Sequence, residues 1–258
     1  MKTLYRAVTV ALIVGFWALL SAGGPINQEV EETTSALEEV DGLLNQGENE
    51  QAWKILQALP EDDSKSAESL WRMARTQYEM GQVADQKNAK LFKSAEKYAR
   101  AAIKNDPNNS ESYKWLAIAL GAQSKYSGTK EQVRQSGEIK ENIEKAIELN
   151  PDDDIAYLVL SRWHYKVSAL SGVARTFAKV FYGGVPKASL EKAEDLLLQA
   201  IKIHDRVAHR YNLAKVYKRM DRQEEAMEQL RLTLLLPVTF PEEVKDKEKA
   251  RKKQQSWK

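Results

Sequence analysis

The sequence AEKYARAAIKNDP at residues 95–107 decides the fold of this chain, because its pattern is repeated further along. Residues 139–151 read IKENIEKAIELNP and residues 193–201 read AEDLLLQAI, so small or apolar residues return at the same helical offsets. The first two copies end at Asp-Pro and Asn-Pro. Self-similarity of this kind is typical of stacked helix pairs. We therefore predict an all-α fold, a tetratricopeptide-like helical-repeat solenoid (an α-α superhelix).

The spacing between equivalent positions in the two helices of a pair varies along the chain. It is 9 residues from Tyr217 to Ala226, which matches the 34-residue tetratricopeptide unit. The equivalent spacings are 17, 19 and 29 residues at Tyr78–Ala95, Leu120–Ile139 and His164–Ala193. Insertions on one side of a solenoid tend to build up one edge of its binding face. We therefore predict inter-helix insertions that shape a groove.

The first residues have the pattern of a targeting segment. Lys2 and Arg6 precede the apolar stretch 7–20. The small residues Ser21, Ala22 and Gly23 follow it. A helix that spans a bilayer needs about 20 apolar residues. The apolar stretch here has only fourteen, which favours a cleaved signal peptide over an uncleaved anchor. We expect an exported protein, periplasmic or secreted, with N-terminal membrane anchoring as the alternative.

The chain divides into four predicted segments on the basis of its helical periodicity and charge. The last of them is rich in lysine and starts after Phe240, and we expect it to cap the stack. The segments are 1–24 (signal peptide or anchor), 27–65 (N-terminal helical hairpin), 66–240 (repeat domain) and 241–258 (charged C-terminal helix or tail).

Composition excludes several classes of protein. Of the 258 residues, 43% are hydrophobic and 29% are charged, which is enough apolar material for a folded core. The formal net charge is only +2, so we expect no nucleic-acid partner. Cysteine is absent, which excludes disulfides, thiolate catalysis and Cys-ligated zinc.

No motif of a catalytic or metal centre is present in the sequence. His164, His204 and His209 have no HExxH spacing, and no glycine-rich phosphate loop occurs. The acidic run 152–154 lacks the glycine and the distal glutamate of a calcium loop, so we interpret it as a helix cap. We predict a protein that is not an enzyme, with no catalytic residues, no cofactor and no metal site.

The candidate binding residues belong to the first helix of each pair, which lines the concave side of such a stack. They combine cations, an amide and apolar side chains, which suits an extended peptide, a C-terminal carboxylate or an anionic amphiphile. Ordinary solvated positions are the alternative interpretation. The predicted groove residues are Lys114, Ile118, Leu158, Arg162, Tyr165, Asn212, Val216 and Arg219.

The long insertion at 170–188 carries an apolar stripe at helical spacing. Its members are Val173, Phe177, Val180 and Phe181. One interpretation is an extra helix that buries this stripe against the stack. The other is a lid over an apolar pocket, or an element that touches a membrane.

Several stretches resemble the regulator of microtubule dynamics proteins, a family of tetratricopeptide-like helical proteins. The resemblance covers about residues 66–240 and depends on SYKWLAIALG (112–121), GEIKENIEKAIELNP (137–151), LSRWHY (160–165) and FYGGVP (181–186). It implies a helical solenoid and, in eukaryotic relatives, association with microtubules. In membrane-anchored relatives it implies organelle contacts with phospholipid binding. It supplies no catalytic residues.

The sequence thus leaves three functional hypotheses. The leading one is an exported, non-enzymatic binding scaffold that recognises a protein or peptide partner in its concave groove. The second is a carrier of a lipid or another amphiphile. The third is a microtubule-associated regulator, which requires that the N-terminus is a membrane anchor and that the repeats face the cytosol.

Overall fold

The computed structural model confirms the predicted all-α repeat fold. It describes residues 25–84, 88–170, 172, 175, 176, 179 and 187–257, and regular secondary structure within those ranges is helical. The predicted signal peptide and the residues Val173, Phe177, Val180 and Phe181 lie outside the described residues. The helices are α1 (Pro25–Gln46), α2 (Asn49–Ala58), α3 (Glu61–Ser64), α4 (Ala67–Val83), α5 (Asn88–Asn105), α6 (Ser110–Gln123), α7 (Thr129–Leu149), α8 (Asp154–Ser168), α9 (Leu190–Ile203), α10 (Val207–Arg219), α11 (Gln223–Leu235) and α12 (Glu242–Ser256), with a 3-10 turn at Ser124–Tyr126.

The described chain divides into two compact units between Glu39 and Val40. The first holds most of α1. The second holds the four helix pairs α4–α5, α6–α7, α8–α9 and α10–α11, followed by α12. Within these ranges, no helix has the combination of length and hydropathy that a membrane span requires.

The helix pairs form a curved stack. Each pair packs against the next through α5–α6, α7–α8 and α9–α10. The first helices also contact one another in series, through α4–α6, α6–α8 and α8–α10. They are therefore the inner helices of the curve, and α5, α7, α9 and α11 are the outer ones.

The repeated residues of the sequence form the interfaces within and between pairs. The small side chain of an alanine allows two helices to approach closely, and full burial of the larger residues stabilises the stack. The repeat positions with no exposed surface are Ala95, Ala99, Ala102, Ile143, Ala146, Ala193, Leu197 and Ala200.

Side-chain caps fix where the helices begin. Asp153 Oδ1 accepts hydrogen bonds from the backbone N–H groups of Ile155 and Ala156, both at 3.0 Å, so the acidic run caps α8 as predicted. The side chain of Asn109 caps α6 in the same way, and that of Ser189 caps α9. These caps set the register at which the inner helices present their residues.

The C-terminal helix α12 packs on α10 and α11, as the sequence predicts for a capping element. The loop before it reaches the opposite end of the stack. A Cβ on Gly47, in the turn after α1, would lie 3.2 Å from Pro241 Cγ, so the two loops are in contact. Gly47 has a φ of +81°, which explains why glycine occupies this turn.

Candidate binding site on the concave face

The inner helices enclose a cavity of about 600 Å³. This volume is in the range of pockets that bind small molecules or a few side chains. Apolar and aromatic residues form most of the wall. They are Tyr78, Trp115, Ile118, Val133, Ile139, Ile155, Leu158, Val159, Trp163, Val167, Leu170 and Phe240.

The insertion between α6 and α7 forms one edge of this cavity. Helix α7 begins at Thr129, ten residues before the repeat position Ile139, and its first turns extend the wall. Trp163 Nε1 donates hydrogen bonds to the backbone oxygen and the hydroxyl of Ser136 at 2.8 and 3.1 Å, which ties this edge to α8. The insertion residues on the wall are Ser124, Lys125, Thr129, Gln132, Val133 and Ser136.

Cations form part of the cavity wall. Lys125, Arg162 and Lys166 all line it, and all three residues are exposed. Partial desolvation of its amino group, followed by the nearby charges of Lys125 and Arg162, lowers the pKa of Lys166. These cations suit an anionic group of a ligand.

Carboxylates also line the cavity. They are those of Glu79, Glu242, Glu243 and Asp246. Burial raises the pKa of Glu79, although the guanidinium of Arg75, with Nε at 2.8 Å, opposes this. The cavity wall thus combines apolar, basic and acidic side chains.

The segment 239–246, which we call the C-terminal strap, supplies part of the cavity wall. Glu243 is only 1% exposed and accepts hydrogen bonds from the backbone N–H groups of Ala208, Thr239 and Phe240 at 3.3, 2.7 and 3.2 Å. The guanidinium of Arg206 lies 4.9 Å from the Phe240 ring centroid. One buried carboxylate therefore holds the strap against the start of α10.

Helices α8 and α10 bring several predicted residues together in what we call the cation–tyrosine cluster: Arg162, Tyr165, Asn212, Lys215 and Arg219. Asn212 Oδ1 accepts from Arg162 Nε at 3.4 Å and from Lys215 Nζ at 3.2 Å. Arg219 Nη1 donates to the backbone oxygen of Tyr165 at 2.8 Å. The Tyr165 ring centroid lies 5.0 Å from Lys215 Nζ and 5.0 Å from Arg219 Cζ.

Lys215 is the member of this cluster that sequence reasoning missed. It stands three residues after Asn212 and four before Arg219, so its helical spacing could have identified it. Burial, followed by repulsion from Arg162, lowers the pKa of Lys215 to about 8. An amino group that is partly neutral near physiological pH is a feature of functional sites.

Apart from Lys114, the predicted groove residues occupy three different environments. Ile118, Leu158 and Arg162 line the cavity, whereas Tyr165, Asn212 and Arg219 belong to the cluster beside it. Val216 is 1% exposed and packs in the core with Leu158 and Leu213.

Lys114 has its own buried environment. Its Nζ contacts the carboxylates of Glu111 at 2.5 Å and Asp153 at 2.6 Å. Its ammonium is paired with Glu111 on α6 and with Asp153, the cap of α8. Lys114 is not among the residues that line the cavity in the described structure. Within the described ranges, no group of three or more His, Cys, Asp or Glu residues is placed to hold a metal ion.

Stacked helix pairs around an inner cavity define a tetratricopeptide-like repeat protein. A thermophilic TPR protein of Thermus thermophilus shares this fold, with a TM-score of 0.64 and 18% identity over 85% of this chain and 97% of that one. The family model of regulator of microtubule dynamics protein 1-3 matches residues 36–258. The chain belongs to this family, as its sequence motifs suggest.

Two relatives illustrate the similarity. Regulator of microtubule dynamics protein 1 of Bos taurus is 33% identical over 168 residues, which are 64% of this chain and 52% of the relative. Regulator of microtubule dynamics protein 3 of Xenopus laevis is 34% identical over 220 residues, which are 83% of this chain and 47% of the relative. The chain therefore spans about half the length of these curated relatives.

Proposed function

We propose that this helical-repeat scaffold is a non-enzymatic binding protein that holds a segment of a partner protein in the concave cavity. The observation that carries the proposal is the cavity itself, a largely apolar recess on the inner helices with the exposed Arg162 in its wall. Apolar side chains of a bound segment would bury against Ile118 and Val159. An acidic group of the segment would pair with Arg162.

Site-specific photo-cross-linking in the native host tests this proposal. A photoreactive amino acid at Ile118 lies in the cavity wall, whereas one at Lys97 lies on the exposed surface of the outer helix α5. We expect a distinct partner to be captured from Ile118 and not from Lys97. Mass spectrometry of the cross-linked peptide then identifies the segment.

Charge reversal gives the matched control for this experiment. Arg162→Glu should reduce the Ile118 cross-link at least about tenfold, because a favourable ion pair becomes a repulsion. Arg231→Glu, on the exposed surface of α11, should leave it unchanged. Equal capture from Ile118 and Lys97, or an Arg162→Glu variant that cross-links normally, would contradict a partner in the cavity.

A second candidate is an amphiphile, favoured by the predominantly apolar wall of the cavity. An acyl chain could fill the space between Trp115 and Val159, with its anionic head group near Arg162. Native mass spectrometry of protein purified from its own host should then show a bound species that Val159→Lys removes. A protein that carries no such species from a lipid-replete host would argue against this candidate.

Export remains our proposal for the location of the chain, supported by the targeting pattern of residues 1–24. A mature N-terminus near Gly24 would support it, and an intact Met1 would support the anchor. Only in the second case, with repeats in the cytosol, would the microtubule role in the relatives' names apply. Co-sedimentation with microtubules that persists at physiological salt would then be expected.

A further inference from the structure

Three cations on the inner face, Arg162, Lys215 and Arg219, form no ion pair with a carboxylate within the described ranges, and each of them contacts Asn212 or Tyr165. The hydrogen bonds that Arg162, Lys215 and Arg219 make there go to neutral acceptors, namely Asn212 Oδ1 and the backbone oxygen of Tyr165. Several other buried or half-buried cations have carboxylates. Arg72, for example, pairs with Asp41 at 2.7 Å. The cluster therefore holds positive charge that the described part of the fold does not neutralise.

The groups around Lys215 do not compensate for this charge. Asp246 on α12 acts on Lys215, but its carboxylate is already paired with Lys249 at 2.9 Å. Lys249 and Lys253, on the same helix, add further repulsion. The rings of Tyr165 and Tyr211 lie 5.0 and 5.6 Å from Lys215 Nζ, and such contacts stabilise the cation without neutralising it.

We propose that Arg162, Lys215 and Arg219 form a phosphate-binding site, which receives a phosphorylated side chain of the partner segment. This inference rests on the proposed function, since that segment lies in the adjacent cavity. Two guanidinium groups supply planar, multidentate donors, and the ammonium of Lys215 supplies a third charge beside Asn212 and Tyr165. Arg162 belongs to both the cavity wall and the cluster, so it joins the two sites.

Phosphate fits better than the other anions that could bind here. A carboxylate carries one negative charge, whereas a phosphate monoester carries about −1.5 to −2 at neutral pH and has three acceptor oxygens. Arg162 and Lys215, which share Asn212 Oδ1 as acceptor, together with Arg219 on the neighbouring Tyr165, match the larger charge. A bilayer surface is a poorer fit, because Lys215 lies half-buried between α8 and α12 and behind two tyrosine rings.

Without a bound anion, Lys215 is mostly neutral at pH values above its lowered pKa of about 8. A bound phosphate dianion raises that pKa again, so binding at about pH 8.5 must take up a proton. The phosphate is already a dianion at this pH, since its second pKa is about 6. Proton uptake therefore reports on Lys215.

Isothermal titration calorimetry of the full chain with a phosphoserine peptide of fixed sequence tests the site. The comparison ligands are inorganic phosphate, acetate, the same peptide with glutamate, and phosphatidylcholine vesicles containing phosphatidate. Measurements at about pH 8.5 in two buffers of different ionisation enthalpy give the number of protons taken up. We expect both soluble phosphates to bind at least about tenfold more tightly than acetate or the glutamate peptide.

Three variants separate the proposed site from general charge. Arg162→Gln should weaken phosphate binding at least about tenfold. Lys215→Arg should retain binding and lose the proton uptake, because a guanidinium stays charged at this pH. Lys202→Met removes an exposed lysine from the outer helix α9 and should change neither quantity.

Equal affinity for phosphate and acetate would overturn the proposal, and so would proton uptake that survives in Lys215→Arg. Binding to phosphatidate vesicles without binding to the soluble phosphates would replace it with a lipid surface. These outcomes are independent of the cross-linking experiment. Capture of a partner from Ile118 together with no phosphate preference would leave the proposed function intact and remove only this site.

Discussion

Substitution of Lys114 by methionine is expected to destabilise the fold by about 3–5 kcal/mol, the usual effect of removing one partner from a buried ion pair. The side chain of Lys114 is 9% exposed, and it is the counter-ion of Asp153, which is 6% exposed. Without it, a buried carboxylate keeps its desolvation cost and loses its compensating charge. Equilibrium urea unfolding followed by circular dichroism gives the change in free energy.

The pKa of Lys114 indicates the same interaction between its ammonium and the nearby carboxylates. Burial lowers this pKa, but the carboxylates of Glu111 and Asp153 outweigh burial, and the pKa is raised overall. A cation with a raised pKa in the folded state contributes stability that is present below its unfolded pKa. That contribution is lost as the pH rises through the folded value. The difference in stability between wild type and Lys114→Met should therefore shrink in strongly alkaline solution.

Two comparison variants isolate the charge. Lys114→Met combined with Asp153→Asn should recover more than half of the loss, because asparagine still caps α8 and carries no charge. Lys145→Ala removes an exposed lysine paired with Glu148 at 2.8 Å and should cost less than about 1 kcal/mol. A Lys114→Met variant as stable as Lys145→Ala would show that the buried pair does not support the fold.

The sequence predicts the repeat fold well because its signal is local. Alanine at positions 95, 99 and 102 reports burial directly, and each of these side chains is fully buried. The spacing of residues within one helix can also be read directly from the sequence. They group Asn212 with Arg219, which lie in the same cluster.

The distribution of the candidate residues between cavity, cluster and core follows from long-range contacts. Lys114 and Ile118 are four residues apart on α6, so their spacing assigns them to one face. In the structure Lys114 pairs with Asp153, 39 positions further along the chain, whereas Ile118 lies on the cavity wall. No periodic pattern encodes such an ion pair. The same is true of the strap, whose contact between Glu243 and the Ala208 N–H joins residues 35 positions apart.

Substitution of Glu243 by alanine is expected to release the strap and to destabilise the fold by about 2–3 kcal/mol. Three backbone N–H groups lose a charged acceptor, and a hydrogen bond of this kind contributes about 1.5–3 kcal/mol net. Water can replace the acceptor at Thr239 and Phe240, which are not buried, so the expected loss is close to that of one such bond. One of the three donors is Ala208, in the first turn of α10, where the helix itself supplies no acceptor. The loss should appear as faster hydrogen exchange at Thr239, Phe240 and Ala208.

Release of the strap should also change access to the cavity, because Phe240 and Glu243 form part of its wall. An apolar fluorescent dye should therefore enter Glu243→Ala faster than the wild type, while Glu248→Ala, at an exposed position of α12, should match the wild type. Glu243→Gln keeps an acceptor oxygen and should lie between the two. If Glu243→Ala exchanges its Thr239 and Phe240 amides at the wild-type rate, the buried carboxylate does not hold the strap. In the part of the chain that the structure describes, the cores of the repeats contain neither Phe240 nor Glu243, so faster entry of the dye should not require the repeats to unfold.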